Sequence, residues 1–246
     1  MGRPGTRPMD EALWDAIARV ERRHWWFRGR REVIARVLER ELAPAAAVLD
    51  VGCGTGFVLE RLAARFDVLG LEPDASVRAR AAAVIAPRLR PGGIGDFGAL
   101  GGRTFDAVLL LDVLEHLDDD LAALQGVRAA IAPAGLLVVA VPANPALWSR
   151  HDVLNQHRRR YTAAGLRALL DNAGYAIEHL GHMNSRLYPL AWLHRLAVRE
   201  TGGALRVPPA PLNRFFAAAF AGEASRGAPA YARGLSLLAL ARTKPA

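Results

Sequence analysis

The feature that most constrains the fold is a strand that runs directly into a glycine-rich turn. Residues 48–51 form an apolar run that contains one acid, Asp50, and glycines follow at alternate positions: Gly52, Gly54 and Gly56. Glycine adopts backbone conformations that other residues avoid, and it lets a ligand approach the main chain closely. The amphipathic stretch from Phe57 to Arg65 predicts a helix whose N-terminus directs its free N–H groups at that ligand. The segment therefore predicts a strand, a ligand-binding turn and a helix.

The glycine spacing separates two classes of nucleotide-binding turn. A dinucleotide fingerprint has the form G-x-G-x-x-G, but Phe57 stands where its third small residue would pack. The run from Asp50 to Gly56 instead resembles motif I of the class I S-adenosylmethionine-dependent methyltransferases, whose usual form is D-x-G-x-G-x-G. The alternative is an ordinary strand, turn and helix in which the glycines serve geometry alone. The resemblance covers residues 48–144 well and the rest of the chain loosely.

Two further segments support the same family. Residues 105–116 read F-D-A-V-L-L-L-D-V-L-E-H, and they resemble the F-D-x-V-x-x-x-x-V-L-E-H segment of small-molecule methyltransferases related to quinone-biosynthesis enzymes. Residues 157–162 read H-R-R-R-Y-T, which resembles the H-x-R-x-Y-T segment of type-11 methyltransferases. The chain is therefore identified as similar to this small-molecule group of class I enzymes.

The resemblance implies S-adenosylmethionine as the cofactor. In similar enzymes the acid at Asp50 organises the glycine turn near the cofactor's amino group, and the acid that ends the second strand, here Glu72, binds both ribose hydroxyls. A carboxylate suits a vicinal diol because it accepts two charge-assisted hydrogen bonds. The implied contacts are Asp50, Gly52, Cys53, Gly54, Gly56, Glu72 and Pro73, with Asp96 and Phe97 at the adenine, and Leu111 and Asp112 at the methionine portion.

Three histidines are candidates for proton transfer, because imidazole titrates near neutrality. His116 closes the 105–116 segment, and a helix-capping or core role is the alternative for it. His151 and His157 lie in a loop after the fifth predicted strand, where either would accept a proton or orient the substrate. The alternative there is a surface loop held by salt bridges. His151, Asp152 and His157 could supply three metal ligands, but the spacing typical of zinc proteases is absent, so no metal is predicted.

Strands that alternate with helices predict an α/β fold, in the form of a doubly wound, seven-stranded, mostly parallel, Rossmann-like sheet. The predicted division is an N-terminal helical lid at 1–42, a cofactor-binding core at 43–182, a helical insertion or cap at 183–233, and a final strand at 234–246. In the lid, the aromatic residues at 24–27 either pack one helix on the next or cover the cofactor. In the second case Trp26 and Arg31 would lie near its amino-acid end.

The insertion separates two strands that would normally form a close antiparallel pair. Its length of about fifty residues is too great for a bare loop. Apolar residues from Leu187 to Ala197 and from Leu212 to Phe220 predict two amphipathic helices. Four roles stay open for them: a substrate cap, a homodimer contact, a peripheral membrane contact through 187–220, or additional core.

Composition narrows the compartment and the partner. A single cysteine, Cys53, leaves no internal disulfide, and the sequence contains neither a secretory signal nor an apolar run long enough to span a bilayer. The chain is therefore predicted to be cytoplasmic. Its net charge of +8 could indicate nucleic acid, but Lys244 is the only lysine and the arginines are spread along the chain. That distribution disfavours a nucleic-acid partner and leaves a small molecule as the expected one.

These observations predict methyl transfer from S-adenosylmethionine to a small-molecule acceptor. Oxygen is the expected methylated atom, in secondary metabolism or in glycan or lipid biosynthesis. The protein would mainly align the nucleophile with the methyl carbon and exclude water. N- or C-methylation, methylation of RNA or protein, and a non-catalytic cofactor-binding role are the alternatives.

Overall fold

A seven-stranded sheet organises residues 11–189, 206–225 and 227–244, which are the residues that the computed structural model describes. The strands are β1 (Ala47–Val51), β2 (Asp67–Leu71), β3 (Leu89–Arg90), β4 (Phe105–Leu111), β5 (Ile131–Pro142), β6 (Tyr175–Met183) and β7 (Ser236–Thr243). Their order is β3-β2-β1-β4-β5-β7-β6, with β7 antiparallel to both neighbours and the other pairs parallel. The predicted fold class is confirmed. The strand order reverses between β1 and β4, which is where open α/β sheets bind ligands.

Helices cover both faces of the sheet. In the described ranges they are α1 (Glu11–Val20), α2 (Trp25–Glu41), α3 (Phe57–Leu62), α4 (Ala75–Arg78), α5 (Asp120–Val127), α6 (Arg150–Leu154), α7 (Ala163–Asn172) and α8 (Ala210–Ala221). One apolar layer joins the sheet to α2, α3 and α8, and the other joins it to α5 and α7. Side chains alternate along a strand. Val48 faces the α2 layer and Leu49 the opposite one, which puts Asp50 on the α2 face.

The sequence predicts helices over residues 75–86 and 121–131, and both predicted helices are longer than the observed ones. The helix expected over 75–86 is α4, which ends at Arg78, and Pro87 follows in a 3-10 turn at 86–88. The helix expected over 121–131 ends at Val127, because Ile131 already pairs with Phe105 and begins β5. Helix propensity is a weak guide in alanine-rich sequence, and strand pairing overrides it here.

The second predicted helix of the insertion is α8, and it packs along α2. Asn213 joins them: its Oδ1 accepts a hydrogen bond from Trp25 N at 2.8 Å, and its Nδ2 donates to Arg23 O at 2.6 Å. The Trp25 ring meets Phe216 and Phe220 edge-on, at centroid distances of 5.7 and 6.4 Å. Trp25 therefore has the packing role that the sequence left open for residues 24–27. The other helix is predicted from the apolar residues between Leu187 and Ala197, and all of this stretch after residue 189 lies outside the described residues.

Helices α2 and α8 approach each other closely at Gly29, where an added β-carbon would lie 2.6–2.8 Å from atoms of the Phe220 side chain. We expect Gly29→Ala to lower the free energy of unfolding by about 1–3 kcal/mol, as overpacking does, in urea denaturation. Gly126→Ala in α5 is the matched control, since nothing described lies within 4 Å of its β-carbon. That variant should gain about 0.5–1 kcal/mol. Equal effects of the two substitutions would contradict the close packing.

The described helices also bear on the membrane question. Among residues 11–189, 206–225 and 227–244, no helix is both long and apolar enough to cross a bilayer. The peripheral contact through 187–220 is a different mode of binding and stays a prediction.

Candidate active site

The glycine-rich turn lies at the carboxyl edge of the sheet, between the ends of β1 and β2. Its glycines have positive φ angles of 57–77°: Gly52, Gly54 and Gly56. The N–H groups of Gly52 and Cys53 both donate to Leu71 O, at 2.8 and 3.1 Å. These bonds tie the turn to the last residue of β2 and place it against Glu72, the residue that follows.

Glu72 holds the turn from the other side. Its Oε2 accepts a hydrogen bond from Gly54 N at 3.1 Å, and its Oε1 accepts one from Asp74 N at 3.0 Å. The side chain is 6% exposed, and burial raises the pKa of its carboxyl group. Because a carboxylate oxygen has two lone pairs, each oxygen can accept another hydrogen bond from a ligand.

An acid and an arginine lie together between β1 and α2. Asp50 is buried, and no donor in the described ranges reaches its Oδ1. Burial raises the pKa of Asp50 to about 7, although Arg30 favours its ionised form. Arg30 Nη2 pairs with Asp112 Oδ2 at 3.0 Å, and its Nε is buried with no acceptor among the described residues. Buried polar atoms normally have partners, so these two are suited to a polar ligand.

A cleft of about 480 Å³ opens near the end of β2, lined by Pro91, Gly92, Gly95, Asp96 and Gly98. Asp96 Oδ2 accepts a hydrogen bond from Gly93 N at 3.1 Å, which shapes the loop. Pro73 lies opposite, with its ring 3.8 Å from the position of a β-carbon on Gly93. Phe97 starts a 3-10 turn and packs against the apolar layer on the α5 side. Of the two residues predicted for the adenine, Asp96 therefore lines the cleft, whereas Phe97 packs in the apolar layer.

Asp152 orients one of the three candidate histidines. Its buried Oδ1 accepts hydrogen bonds from His157 Nδ1 at 2.9 Å and from Arg160 Nε at 2.7 Å, while its Oδ2 accepts one from Ser149 N at 2.8 Å. Burial alone would raise the pKa of Asp152, but the hydrogen bonds from His157 and Arg160 hold it well below its usual range. An ionised Asp152 keeps a proton on Nδ1, so Nε2 of His157 offers its lone pair.

Two residues of the turn after β4 lie beside His157. The ring centroid of His116 is 5.0 Å from that of His157, and burial together with His157 lowers the pKa of His116. Glu115 is fully buried, and no described residue donates to either carboxylate oxygen. Burial and the nearby Asp112 raise the pKa of Glu115 well above its usual range. The donor atoms of Glu115, His116 and His157 lie within 4.8 Å of one another, and we call these three residues the β4 cluster.

The sequence pointed to part of this arrangement. His151 lies at its edge, with its ring 6.2 Å from that of His157. The trio considered for a metal is not the one assembled, because Asp152 is engaged by Arg160 and Ser149. Glu115, which is not among the predicted site residues, supplies the carboxylate in place of Asp152, and His116 stands in place of His151.

The arginine of α2 that reaches the site is Arg30, which is not among the residues predicted from the sequence. Trp26 lies under the Arg30 guanidinium at 5.1 Å, whereas the selected Arg31 stacks over Phe57 at 4.1 Å. A signal was available: Trp26 and Arg30 are four residues apart and so share one face of a helix. Leu111, at the end of β4, packs in the apolar layer on the α2 side.

The fold and this sheet edge define a class I methyltransferase that uses S-adenosylmethionine as its methyl donor. More narrowly, the chain belongs to the Methyltransf_23 family, whose methyltransferase domain matches residues 22–180. It is therefore an enzyme, and methyl transfer to small molecules is the activity that its relatives support.

Two relatives and one solved structure illustrate the likeness. Trans-aconitate 2-methyltransferase from Deinococcus radiodurans is 34% identical over 180 residues, which cover 65% of this chain and 67% of the relative. A ubiquinone biosynthesis O-methyltransferase from Xanthomonas campestris pv. campestris is 34% identical over 107 residues, and the match spans 41% of this chain and 45% of that relative. The methyltransferase solved with the Haloferax volcanii Trm112 activator has a TM-score of 0.61 at 17% identity, covering 98% of this chain and 100% of that one. This last likeness concerns the fold.

Proposed function

We propose that the enzyme methylates a hydroxyl group of a small organic molecule and that the hydroxyl loses its proton at the β4 cluster. The observation that carries the proposal is the hydrogen bond of 2.9 Å between His157 Nδ1 and Asp152 Oδ1. A hydroxyl is a weak nucleophile until a base takes its proton. An imidazole held by a carboxylate at one nitrogen acts as a base at the other. His157 Nε2 is therefore the proposed proton acceptor.

The unsatisfied polar atoms fit the cofactor. S-adenosylmethionine supplies an electrophilic methyl group on a sulfonium, next to an ammonium and a carboxylate. Asp50 would hold the ammonium and Arg30 the carboxylate, because both are buried and carry atoms without partners in the described ranges. Glu72 would accept hydrogen bonds from the ribose hydroxyls, and Asp96 would accept one from the adenine amino group. This set extends along the carboxyl edge of β2, β1 and β4.

The acceptor would lie between the methionine portion and the β4 cluster. Asp112 and Glu115 are three residues apart in the turn after β4, so the two regions adjoin. Three large apolar side chains are exposed in or next to α6, in the same segment as His151 and His157: Trp148 (44%), Val153 (61%) and Leu154 (44%). Apolar surface near polar groups is typical of sites for organic ligands. We infer an acceptor whose hydroxyl is attached to an apolar body.

The test is turnover of His157→Gln with hydroxylated acceptors, followed as formation of S-adenosylhomocysteine. Loss of a general base lowers the rate by about 10²- to 10⁴-fold. Affinity for S-adenosylmethionine, measured by isothermal titration calorimetry, should stay the same, since His157 lies outside the proposed cofactor contacts. Full turnover of the variant would rule out His157 as the proton acceptor.

Two comparisons sharpen this test. His179→Gln is the matched control. His179 lies on β6 and its ring bonds to Pro229 O, so this substitution should not affect turnover. Trans-aconitate, named for one relative, is a useful second acceptor because an ionised carboxylate has no proton to lose. If the enzyme methylates carboxylates but not hydroxyls, at rates that do not depend on His157, the acceptor group is a carboxylate and the proposed hydroxyl is wrong.

A further inference from the structure

We propose that the β4 cluster binds a divalent transition-metal cation such as Zn²⁺. The carboxylate of Glu115 and the imidazoles of His116 and His157 place three donor atoms within 4.8 Å of one another. Two atoms that each lie about 2.0–2.2 Å from one zinc ion are at most roughly 4.4 Å apart. In the tetrahedral geometry typical of zinc, such donors lie roughly 3.3–3.6 Å from one another, so each of the three side chains would have to move its donor atom by less than about 1 Å to bind one ion.

Glu115 provides the main physical argument. Its side chain is fully buried, and neither oxygen meets a donor from the described part of the chain. A buried carboxylate is costly unless a positive charge or hydrogen bonds compensate it. The arginines that act on it are engaged elsewhere: Arg30 pairs with Asp112, and Arg160 bonds to Asp152 and Ala143 O. A cation bound by Glu115 would supply the missing compensation.

The orientation of His157 is a second, independent argument. Histidines that bind a metal through one nitrogen commonly donate the other N–H to a carboxylate, which fixes the ring. His157 Nδ1 makes this bond to Asp152, and its Nε2 offers a lone pair. Asp152 is in turn held by Ser149 N and by Arg160. Asp152 is thus a positioning residue for the proposed site.

Backbone contacts hold the two ligand-bearing segments in register. Arg158 N donates to Glu115 O at 2.8 Å, and Arg158 Nε donates to His116 O at 2.9 Å. The residue next to His157 therefore binds the backbone of both other ligands. Such fixed placement lowers the conformational cost of binding an ion.

The metal site would assist the proposed hydroxyl methylation. Its catalytic role rests on that proposed function, whereas the binding of a metal does not. With the cation bound, Nε2 of His157 would be a ligand and would no longer take the proton itself, so the cation would replace it in activating the hydroxyl, and the acceptor oxygen would take an open coordination position. A divalent cation lowers the pKa of a bound hydroxyl, so the proton would leave to water. The oxygen would then bond to the methyl carbon as the carbon–sulfur bond breaks, which yields S-adenosylhomocysteine.

The experiment is isothermal titration of the untagged full-length protein with Zn²⁺ alone, after dialysis against a chelator. We expect one Zn²⁺ per chain. Glu115→Gln and His157→Gln should each weaken binding by more than roughly 100-fold, and Asp152→Asn, which only alters orientation, by roughly 10- to 100-fold. His179→Gln should bind as the wild type does. Binding of S-adenosylmethionine reports that each variant is folded.

A second measurement does not depend on variants. Co²⁺ bound to the wild-type protein should give paramagnetically shifted, exchangeable imidazole N–H resonances from His116 and His157. The inference is wrong if the folded protein binds neither ion, if the variants leave Zn²⁺ affinity unchanged, or if bound Co²⁺ shifts no imidazole signal. The titration contains no acceptor, so it tests the metal site independently of the proposed function. If the protein binds the metal but methylates no hydroxyl, the proposed function is wrong and the metal site stands.

Discussion

Replacing Glu72 with alanine should weaken the binding of S-adenosylmethionine by about 1.5–3 kcal/mol, or roughly 10- to 150-fold. The carboxylate accepts hydrogen bonds from Gly54 N and Asp74 N in the free protein. In the complex it would also accept hydrogen bonds from the two ribose hydroxyls. The substitution would remove these charge-assisted bonds to the ribose and would also remove the bond to Gly54 N that holds the glycine turn. Isothermal titration calorimetry measures the change in affinity directly.

The control for Glu72→Ala is Glu178→Ala. Glu178 is a partly exposed acid on β6 whose Oε1 accepts a hydrogen bond from Arg242 Nε at 2.7 Å, away from the glycine turn. Its loss should leave cofactor affinity unchanged. Glu72→Gln separates the charge of Glu72 from its hydrogen bonding, because the one amide oxygen of glutamine accepts hydrogen bonds but carries no charge. Wild-type affinity in the alanine variant would show that Glu72 does not hold the sugar.

The parts of the site that sequence could predict are those that lie within a few residues of each other. Asp50 and the glycines form one continuous strand and turn, and Glu72 directly follows β2. Parallel strands end at the same sheet edge, so a strand pattern alone brings these groups together. The same reasoning accounts for the confirmed fold class.

The parts that sequence could not predict depend on contacts between distant segments. Arg30 pairs with Asp112 across 82 positions because α2 lies over the ends of β1 and β4. The adjacent Arg31 is the same type of residue in the same helix, but its guanidinium stacks over Phe57. Glu115 stands next to His116 in the quoted motif, yet its lack of partners appears only once the fold buries it. Burial and pairing are properties of packing, which local pattern does not encode.

Asp50 gives the second large effect, which is a pH dependence of stability in the cofactor-free protein. Burial raises its pKa from 3.8 to about 7. Below about pH 4 the group is protonated in both the folded and the unfolded state. Between that pH and 7 the unfolded chain ionises first, so the free energy of unfolding falls as pH rises, by up to about 1.4 kcal/mol per pH unit. Above pH 7 the full penalty of a buried charge applies.

The wild type should therefore lose about 3 kcal/mol from this group between pH 5 and pH 8, and Asp50→Asn should lose that much less. Urea denaturation of both proteins across this range measures the difference. The comparison must be made between the two proteins, because burial also raises the pKa of Glu21 to about 7 and adds the same slope to each. Parallel curves would show that Asp50 is not protonated at low pH in the folded state.

Cofactor affinity should have the opposite pH dependence: it should rise with pH, whereas the stability of the cofactor-free protein falls. If Asp50 holds the ammonium of S-adenosylmethionine, the bound state needs the ionised carboxylate and its burial is compensated by the ligand's charge. Affinity should then rise with pH, by about fivefold from pH 6 to pH 7 and by about tenfold from pH 6 to pH 8, as the carboxyl group loses its proton. The Asn variant should bind weakly at both values, with no such rise. A wild-type affinity that is constant from pH 6 to pH 8 would mean either that Asp50 is already ionised at pH 6 or that the ammonium lies elsewhere, and the denaturation curves of the wild type and the Asn variant distinguish these two cases.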